Sequence, residues 1–295
     1  MTNDNLFAKI QSNYAHFSKG QKKLADYVMT NYEQAVFMTA VRLGKEVGVS
    51  ESTTVRFAVE LGYEGYPEFR QALEEVVLNK LNSVQRMEIS YNNIPEEQIL
   101  SSVLMDDIEK IKQTIDNENN KSAFKEAVKT ILAARRVYIV GIRSCAPLAM
   151  FMEFYLHQII DDVRLITSNN TSELFEQMIR MNSSDVAIGI SFPRYSMRTL
   201  KAMEFANNRK AKIITITDSP HSPINLYSSC ALLAKSDMAS FVDSLVAPLS
   251  VINALLVALS MEKKDDVMKT LSEMEQLWEE YQVYNRDDMD PVKKF

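Results

Sequence analysis

A chain of 295 residues, 46% hydrophobic and 24% charged, with only 7 Gly and 8 Pro, has the composition of an ordinary soluble globular protein and a length suited to two domains. Disordered, collagenous and low-complexity classes are excluded by those figures. Lys plus Arg number 33 against 39 Asp plus Glu, and a net charge of −6 gives no whole-chain attraction to a polyanion, so any nucleic-acid contact must be local. Cys145 and Cys230, the two cysteines, belong to no C-x-x-C pair, and no basic-then-apolar leader opens the sequence. A reducing cytoplasm is the expected compartment, with no disulfide scaffold. His16, His157 and His221 lie far apart, so no metal ligand set is expected.

From Leu6 to Leu81 apolar residues recur at helical spacing, as in Leu24, Tyr27, Val28 and again in Val41, Leu43, Val47, with no strand pattern between them. Ser18 and Thr39 stand where helix N-caps are expected. The segment from Thr39 to Phe57 has the layout of a helix-turn-helix: Leu43 and Val47 face the core, Gly48 takes the turn, Val49 fills the gap and Val55 anchors the second helix. Ser50, Glu51, Ser52 and Thr53 then open a recognition helix, with Arg56 one turn on and Lys45 on the helix before. Residues 1–90 carry 10 Lys plus Arg and 11 Asp plus Glu, so DNA contact requires Lys19, Lys22, Lys23, Arg42, Lys45 and Arg56 to gather locally. The alternative is a plain helical bundle whose serines only cap. Residues 82–100, rich in Asn, Ser and Glu with Pro95, read as a linker, which places the domains at 1–81 and 101–295.

Beyond the linker, five short apolar runs alternate with amphipathic stretches. The runs are Val137 to Gly141, Val163 to Ile166, Val186 to Ser191, Ile213 to Thr217 and Ala231 to Ala234; the stretches are Pro147 to Ile160, Glu173 to Met181 and Met197 to Asn208. This pattern predicts a five-stranded parallel sheet in a three-layer α/β domain, following an all-α first domain. Helices are expected over Ser240 to Met261 and Asp265 to Tyr284, with the last ten residues frayed. The apolar run from Phe241 to Met261 contains Asp243, Pro248 and Asn253, which argues for a buried helix rather than a membrane span.

The first strand leads into Gly141-Ile-Arg-Ser144, and the third into Gly189-Ile-Ser191-Phe-Pro-Arg194-Tyr-Ser196. A dinucleotide fingerprint needs three glycines at the first turn and only Gly141 is present, so no nicotinamide or flavin cofactor is expected. A small phosphate site passes the same test. Hydroxyls and helix-start amides bind phosphate, Arg143 and Arg194 add charge, and both loops leave the carboxyl edge of one sheet. Serines at helix starts are otherwise explained as caps.

The run from Phe17 to Leu73, with Leu61-Gly-Tyr-Glu-Gly65-Tyr-Pro-Glu-Phe69 after the recognition helix, resembles the DNA-binding domain of RpiR-type bacterial transcription regulators. Ala58, Val59 and Glu60 stand where that family often carries basic residues. Roughly from Ser122 to Ser260, including Val137-Tyr-Ile-Val-Gly141 and Ile214-Thr-Ile-Thr-Asp218-Ser-Pro220, the chain resembles the sugar isomerase (SIS) domain of phosphosugar isomerases and of RpiR-type regulators. The resemblance implies that Ser144, Ser191 and Ser196 hold a sugar phosphate, although Pro193 and Arg194 depart from the family's Ser-x-Ser-Gly-x-Thr loop.

Thr171-Ser-Glu173-Leu resembles the Ser-Glu segment near the active centre of the isomerases, which makes Glu173 a further candidate. A carboxylate at a helix start is equally explained by the helix dipole, and the crevice offers no evident histidine. The expected function is a ligand-responsive regulator of double-stranded DNA with a phosphosugar effector and no catalytic residues. Its rival is a sugar-phosphate enzyme whose helical domain binds protein. Because one helix-turn-helix makes too few contacts for tight operator binding, a homodimer or homotetramer is expected, with the Ser240–Met261 helix at its interface.

Overall fold

The computed structural model describes residues 5–36, 38–80, 87, 96–168, 170–236 and 242–284. The chain divides into two compact units, the first from residues 1–99 with Val242 and the second from the described residues of 100–238 and 243–295.

The first unit consists of helices α1 (Asn5–Asn13), α2 (Lys19–Thr30), α3 (Tyr32–Ala35), α4 (Ala40–Val47), α5 (Glu51–Glu60) and α6 (Tyr66–Lys80). Ser18 starts α2 through a reciprocal capping box with Gln21, and Thr39 caps α4 by accepting from the Arg42 amide, so both expected caps are present. The core is aromatic at its centre. Phe57 lies edge-on between Phe17 and Phe69, with ring centroids 5.2 and 5.6 Å away, and all three rings are buried. Tyr66 joins them and donates its hydroxyl to the Met38 carbonyl at 2.9 Å; burial pushes its pKa up to about 12.

Most of the expected linker, 82–86 and 88–95, lies outside the described residues. Its last two positions are helical, because α7 (Ile99–Ile115) starts inside the stretch read as linker, just after a 3₁₀ turn over Glu96–Gln98. This helix and α8 (Glu118–Leu132) precede the first strand, and both escaped the sequence reading.

The second unit is a parallel sheet of β1 (Val137–Gly141), β2 (Val163–Ile166), β3 (Val186–Ile190), β4 (Lys212–Thr217) and β5 (Cys230–Leu233), in the order β2-β1-β3-β4-β5. β1, β3 and all of β4 beyond Lys212 are buried on both faces, as expected of a sheet with helices above and below. Helices α8, α9 (Ala146–Leu156) and α12 (Val246–Glu262) pack on one face, and α10 (Thr171–Met178) and α11 (Met197–Asn208) on the other. The last described helix, α13 (Lys264–Glu280), adds Val267 to the first of these layers.

The amino edge of the sheet is closed by ion pairs. Arg135 holds the fully buried Asp185 with two hydrogen bonds of 2.9 and 2.8 Å, and Arg136 pairs with Asp162, which draws the Asp162 carboxyl below its ordinary pKa. At the outer edge the Asn120 side chain pairs with the backbone of β5, donating to the Leu233 carbonyl at 2.7 Å and accepting from its amide at 2.8 Å. The helix expected from Ser240 begins only at Val246. Residues 242–245 are not helical, and 240–241 lie outside the described residues, as does the expected frayed end. α12 is anchored by buried Pro248, Ile252, Leu255 and Leu259, which accounts for its apolar composition. Among the described residues no single helix is long and apolar enough to cross a membrane.

Candidate functional site

The first unit contains the anticipated helix-turn-helix. α4 ends at Gly48, whose φ of 73° is left-handed backbone that Gly adopts without a Cβ penalty, and the chain enters α5 at Glu51, three residues later. Ser50 caps α5, accepting from the Thr53 amide at 3.3 Å and sharing hydrogen bonds with the hydroxyls of Ser52 and Thr53. Val55 packs against the core partly buried, as Val47 and Val49 do, while the deepest anchors of α5 are Thr54, Phe57 and Ala58, with Leu61 just beyond its end. Those residues repeat at helical spacing, and Val55 lies roughly 100° away from their stripe.

The same arithmetic sends Ser52, Arg56 and Val59 away from the core, and all three are exposed. Lys45 and Ser50 are also exposed, while Thr53 is half-buried. A Cβ on Gly20 would lie 3.2 Å from Thr53 Cγ2 and 3.4 Å from Val49 Cγ1, so the first turn of α2 abuts the start of α5 and places exposed Lys19 and Lys23 nearby. Ala58 is fully buried and therefore never stands where a basic residue would contact phosphate. Val59, read from the sequence only as standing where the family often carries a basic residue, faces outward. An exposed valine beside an arginine and a serine has the chemistry to touch a thymine methyl while its neighbours bond base edges.

In the second unit, the direction in which successive strands are added reverses between β1 and β3, the position where open α/β sheets form a crevice at their carboxyl ends. The β1 loop passes through Arg143 into a 3₁₀ turn (Arg143–Cys145) and then α9. A Cβ on Gly141 would come within 2.7 Å of the Cys145 carbonyl oxygen and 2.8 Å of Ala149 Cβ, so glycine is what permits this tight return. The β3 loop runs from Ser191 to Ser196 and opens α11. The two loops adjoin at the buried Cys145 thiol, whose pKa burial pushes up to about 11 against a smaller lowering by the Phe192 backbone and the Ser144 side chain.

Each loop has one arginine in the left-handed region, Arg143 at φ 61° and Arg194 at φ 65°. A side chain other than Gly costs on the order of 1–3 kcal/mol there, a backbone region that Lys210 and Gln282 also occupy. The three serines differ in use. Ser196 caps α11 by accepting from the Thr199 amide at 3.4 Å, and buried Ser191 accepts from the Ser196 amide at 3.3 Å. Ser144 caps neither the 3₁₀ turn nor α9, and it is exposed.

Glu173 stands in the first turn of α10, exposed, where it accepts from the Ser168 hydroxyl at 2.6 Å. Its loop follows β2 and so leaves the same sheet edge as the other two. The loop after β4 adds residues the sequence reading passed over. Asp218 accepts from Tyr195 at 2.9 Å and from Thr217 at 3.1 Å, and His221 lies on this loop, its backbone amide bonded to Ser219 Oγ. Among the described residues no cluster of His, Cys, Asp and Glu is fit to hold a metal ion.

Comparison with known proteins matches residues 4–80 to the helix-turn-helix domain of the rpiR family and residues 130–258 to the SIS domain. An uncharacterised helix-turn-helix transcriptional regulator of Haemophilus influenzae is 26% identical over 89% of this chain and 92% of its own length. The regulator HexR of Escherichia coli is 24% identical over 88% and 89%, respectively. Among solved structures, the sugar isomerase domain of an RpiR transcription factor from Sphaerobacter thermophilus superposes with a TM-score of 0.58 at 27% identity, covering 61% of this chain and 99% of that one. Vibrio vulnificus NanR, solved with ManNAc-6P, superposes with a TM-score of 0.55 at 20% identity, covering 92% and 98%. With both units accounted for in their order along the sequence, the chain belongs to the RpiR family of helix-turn-helix transcriptional regulators, its second unit a SIS domain.

Proposed function

We propose that this protein is a cytoplasmic, non-enzymatic regulator that binds double-stranded DNA through Ser50, Ser52, Thr53, Arg56 and Lys45, and whose operator affinity responds to a phosphosugar or a related anionic metabolite. The observation that carries the reading is the junction of the β1 and β3 loops at the switch point. There Arg143, Ser144, Ser191, Arg194 and Ser196 stand beside two helix starts, downstream of an exposed recognition helix. The ManNAc-6P held by NanR, similar in fold, supports a phosphosugar as the ligand class. Pro193 and Arg194 give the β3 loop a fixed cation, which favours a strongly anionic group at that end of the ligand. The protein works as a homodimer or homotetramer, because paired half-sites require paired recognition helices. α12 forms the interface.

The test is a thermal-shift screen of phosphosugars on the full chain, joined to a mobility shift with the promoter beside its own gene. A selective effector at 100 times its Kd adds about 2.7 kcal/mol to the stability of the unit that binds it. Loss of the calorimetric binding signal in the Ser144→Ala/Arg194→Ala variant, with ligand-free operator affinity kept within a few fold, supports the site. Undiminished effector affinity in that variant retires it, and turnover of any phosphosugar replaces the regulator reading by the enzyme one.

A further inference from the structure

The SIS unit exposes two surfaces of opposite character. Along α8, Lys121, Lys125 and Lys129 follow one another at four-residue spacing, so they line one edge of the helix. Lys121 pairs with Glu118, whereas Lys125 and Lys129 make no ion pair among the described residues. Beside this row, between α8 and α12, runs an open groove in two adjoining stretches of about 550 and 690 Å³ that share Phe124 and Lys125. Its floor is apolar, from Ile111, Phe124, Val128 and Leu132. The α12 wall presents Ala247, Ser250, Ala254 and Ala258, small enough to leave room for the side chains of another helix, together with Val251 and, at its far end, Glu262.

The second surface is α13. Val267, Leu271, Met274, Trp278 and then Tyr281 recur at alternating spacings of four and three, the seam of a helix that packs against another along its length. Val267 is buried in its own unit, but Leu271 and Tyr281 are 38% and 72% exposed, and the neighbouring Met268 and Leu277 are 59% and 51% exposed. The helix carries Asp265, Asp266, Glu273, Glu275, Glu279 and Glu280 against Lys264 and Lys269, a net charge of 2 − 6 = −4. Helical geometry sets Glu275 and Glu279 along one margin of the apolar seam.

An acidic amphipathic helix of 17 residues, about 25 Å long, thus matches an apolar groove rimmed by lysines along a helix of 15 residues, about 22 Å long. The match is not available within one chain. α13 is joined to α12 through Lys263 alone and crosses it at 100°, so it cannot turn back along the α12 wall of its own groove.

We infer that α13 of one copy docks into the α8–α12 groove of a second copy, with Glu275 and Glu279 over Lys125 and Lys129, and that the exchange is reciprocal around a two-fold axis. The inference rests on the homo-oligomer reading above and names the elements that make the contact.

The experiment is sedimentation velocity on the full chain at several concentrations, for the wild type, for Lys125→Glu/Lys129→Glu, for Glu275→Lys/Glu279→Lys and for an equimolar mixture of the two variants. All four substituted positions are at the surface, and far-UV circular dichroism checks that each variant is folded. Each charge reversal is expected to raise the dimer Kd at least tenfold. The mixture is expected to restore association, because a heterodimer places the wild-type helix in the wild-type groove and the reversed helix in the reversed groove. Reversals that leave a wild-type dimer intact, or a mixture that stays as weak as its components, overturn the docking while the homo-oligomer reading stands. A wild type that is monomeric at 100 times micromolar concentration overturns both.

Discussion

The two candidate sites use the same side chains for different ends. In the helix-turn-helix the exposed Ser50 hydroxyl bonds the Thr53 amide and the hydroxyls of Ser52 and Thr53, which orders the start of a regular helix from which Ser52, Arg56 and Val59 face outward. In the SIS crevice the polar groups sit on loops, two arginines occupy left-handed backbone, and Ser144 caps nothing. A recognition helix is read by a rigid duplex and needs a regular surface. A small ligand is enclosed from several directions, and loops on a buried parallel sheet supply those directions.

That division predicts separable damage. Phe57→Ala removes a fully buried ring between Phe17 and Phe69 and is expected to cost about 3–5 kcal/mol, enough to unfold the first unit and abolish operator binding. Effector-induced stabilisation of the SIS unit should survive, as calorimetry can show; loss of both responses would mean that the units fold as one. Arg56→Ala should weaken operator binding by about 1–3 kcal/mol at matched salt if the guanidinium contacts a base, and should flatten the salt dependence if it contacts phosphate. Unchanged affinity removes Arg56 from the interface.

The serines sharpen the contrast inside the crevice. Ser196→Ala loses a cap and should lower unfolding free energy by about 0.5–2 kcal/mol, whereas Ser144→Ala should leave stability unchanged and weaken only effector binding. Equal stability losses in urea titrations would show that Ser144 is structural after all.

The smallest expected effect concerns Cys145. Because its folded pKa of about 11 exceeds the ordinary thiol value of 9.0, folding retains a proton that the unfolded chain releases earlier. The resulting contribution is complete below pH 9 and is lost as pH rises from about 9 to about 11. Alkylation of Cys145 at pH 8 should accordingly be slow and should speed up on denaturation; rapid modification of the native protein would show that the junction of the two loops opens freely.

The sheet was readily legible because its strands are short runs of Val, Ile and Ala broken by polar loops, and the bounds of β1 and β2 coincide with those runs. α7 was not. Leu104, Met105, Ile108 and Ile115 are exposed, so its apolar residues follow no single buried stripe, and its first turn lies in sequence that reads as linker. In the first unit the spacing located the turn at Gly48 and a core-facing Val55, but not that the deepest anchors of the second helix run through Thr54, Phe57, Ala58 and Leu61. At the crevice, sequence indicated which loops matter. It carried no sign that Arg143 and Arg194 adopt positive φ, a conformation usually signalled by Gly or Asn, nor that buried Cys145 of one loop lies by Phe192 of the other.

The grip of Asn120 on β5 has a consequence for how this protein meets others. The outermost strand has four residues, and at Leu233 a side-chain amide already satisfies both the N–H and the C=O that a visiting strand would need, while the Lys235 amide just past its end is taken by Thr114. A peptide seeking to extend the sheet here would have to displace bonds of 2.7–3.0 Å for a ladder too short to repay them. This margin is therefore sealed against strand-by-strand growth and the aggregation it brings, and lasting association at this side of the SIS unit falls to its helices.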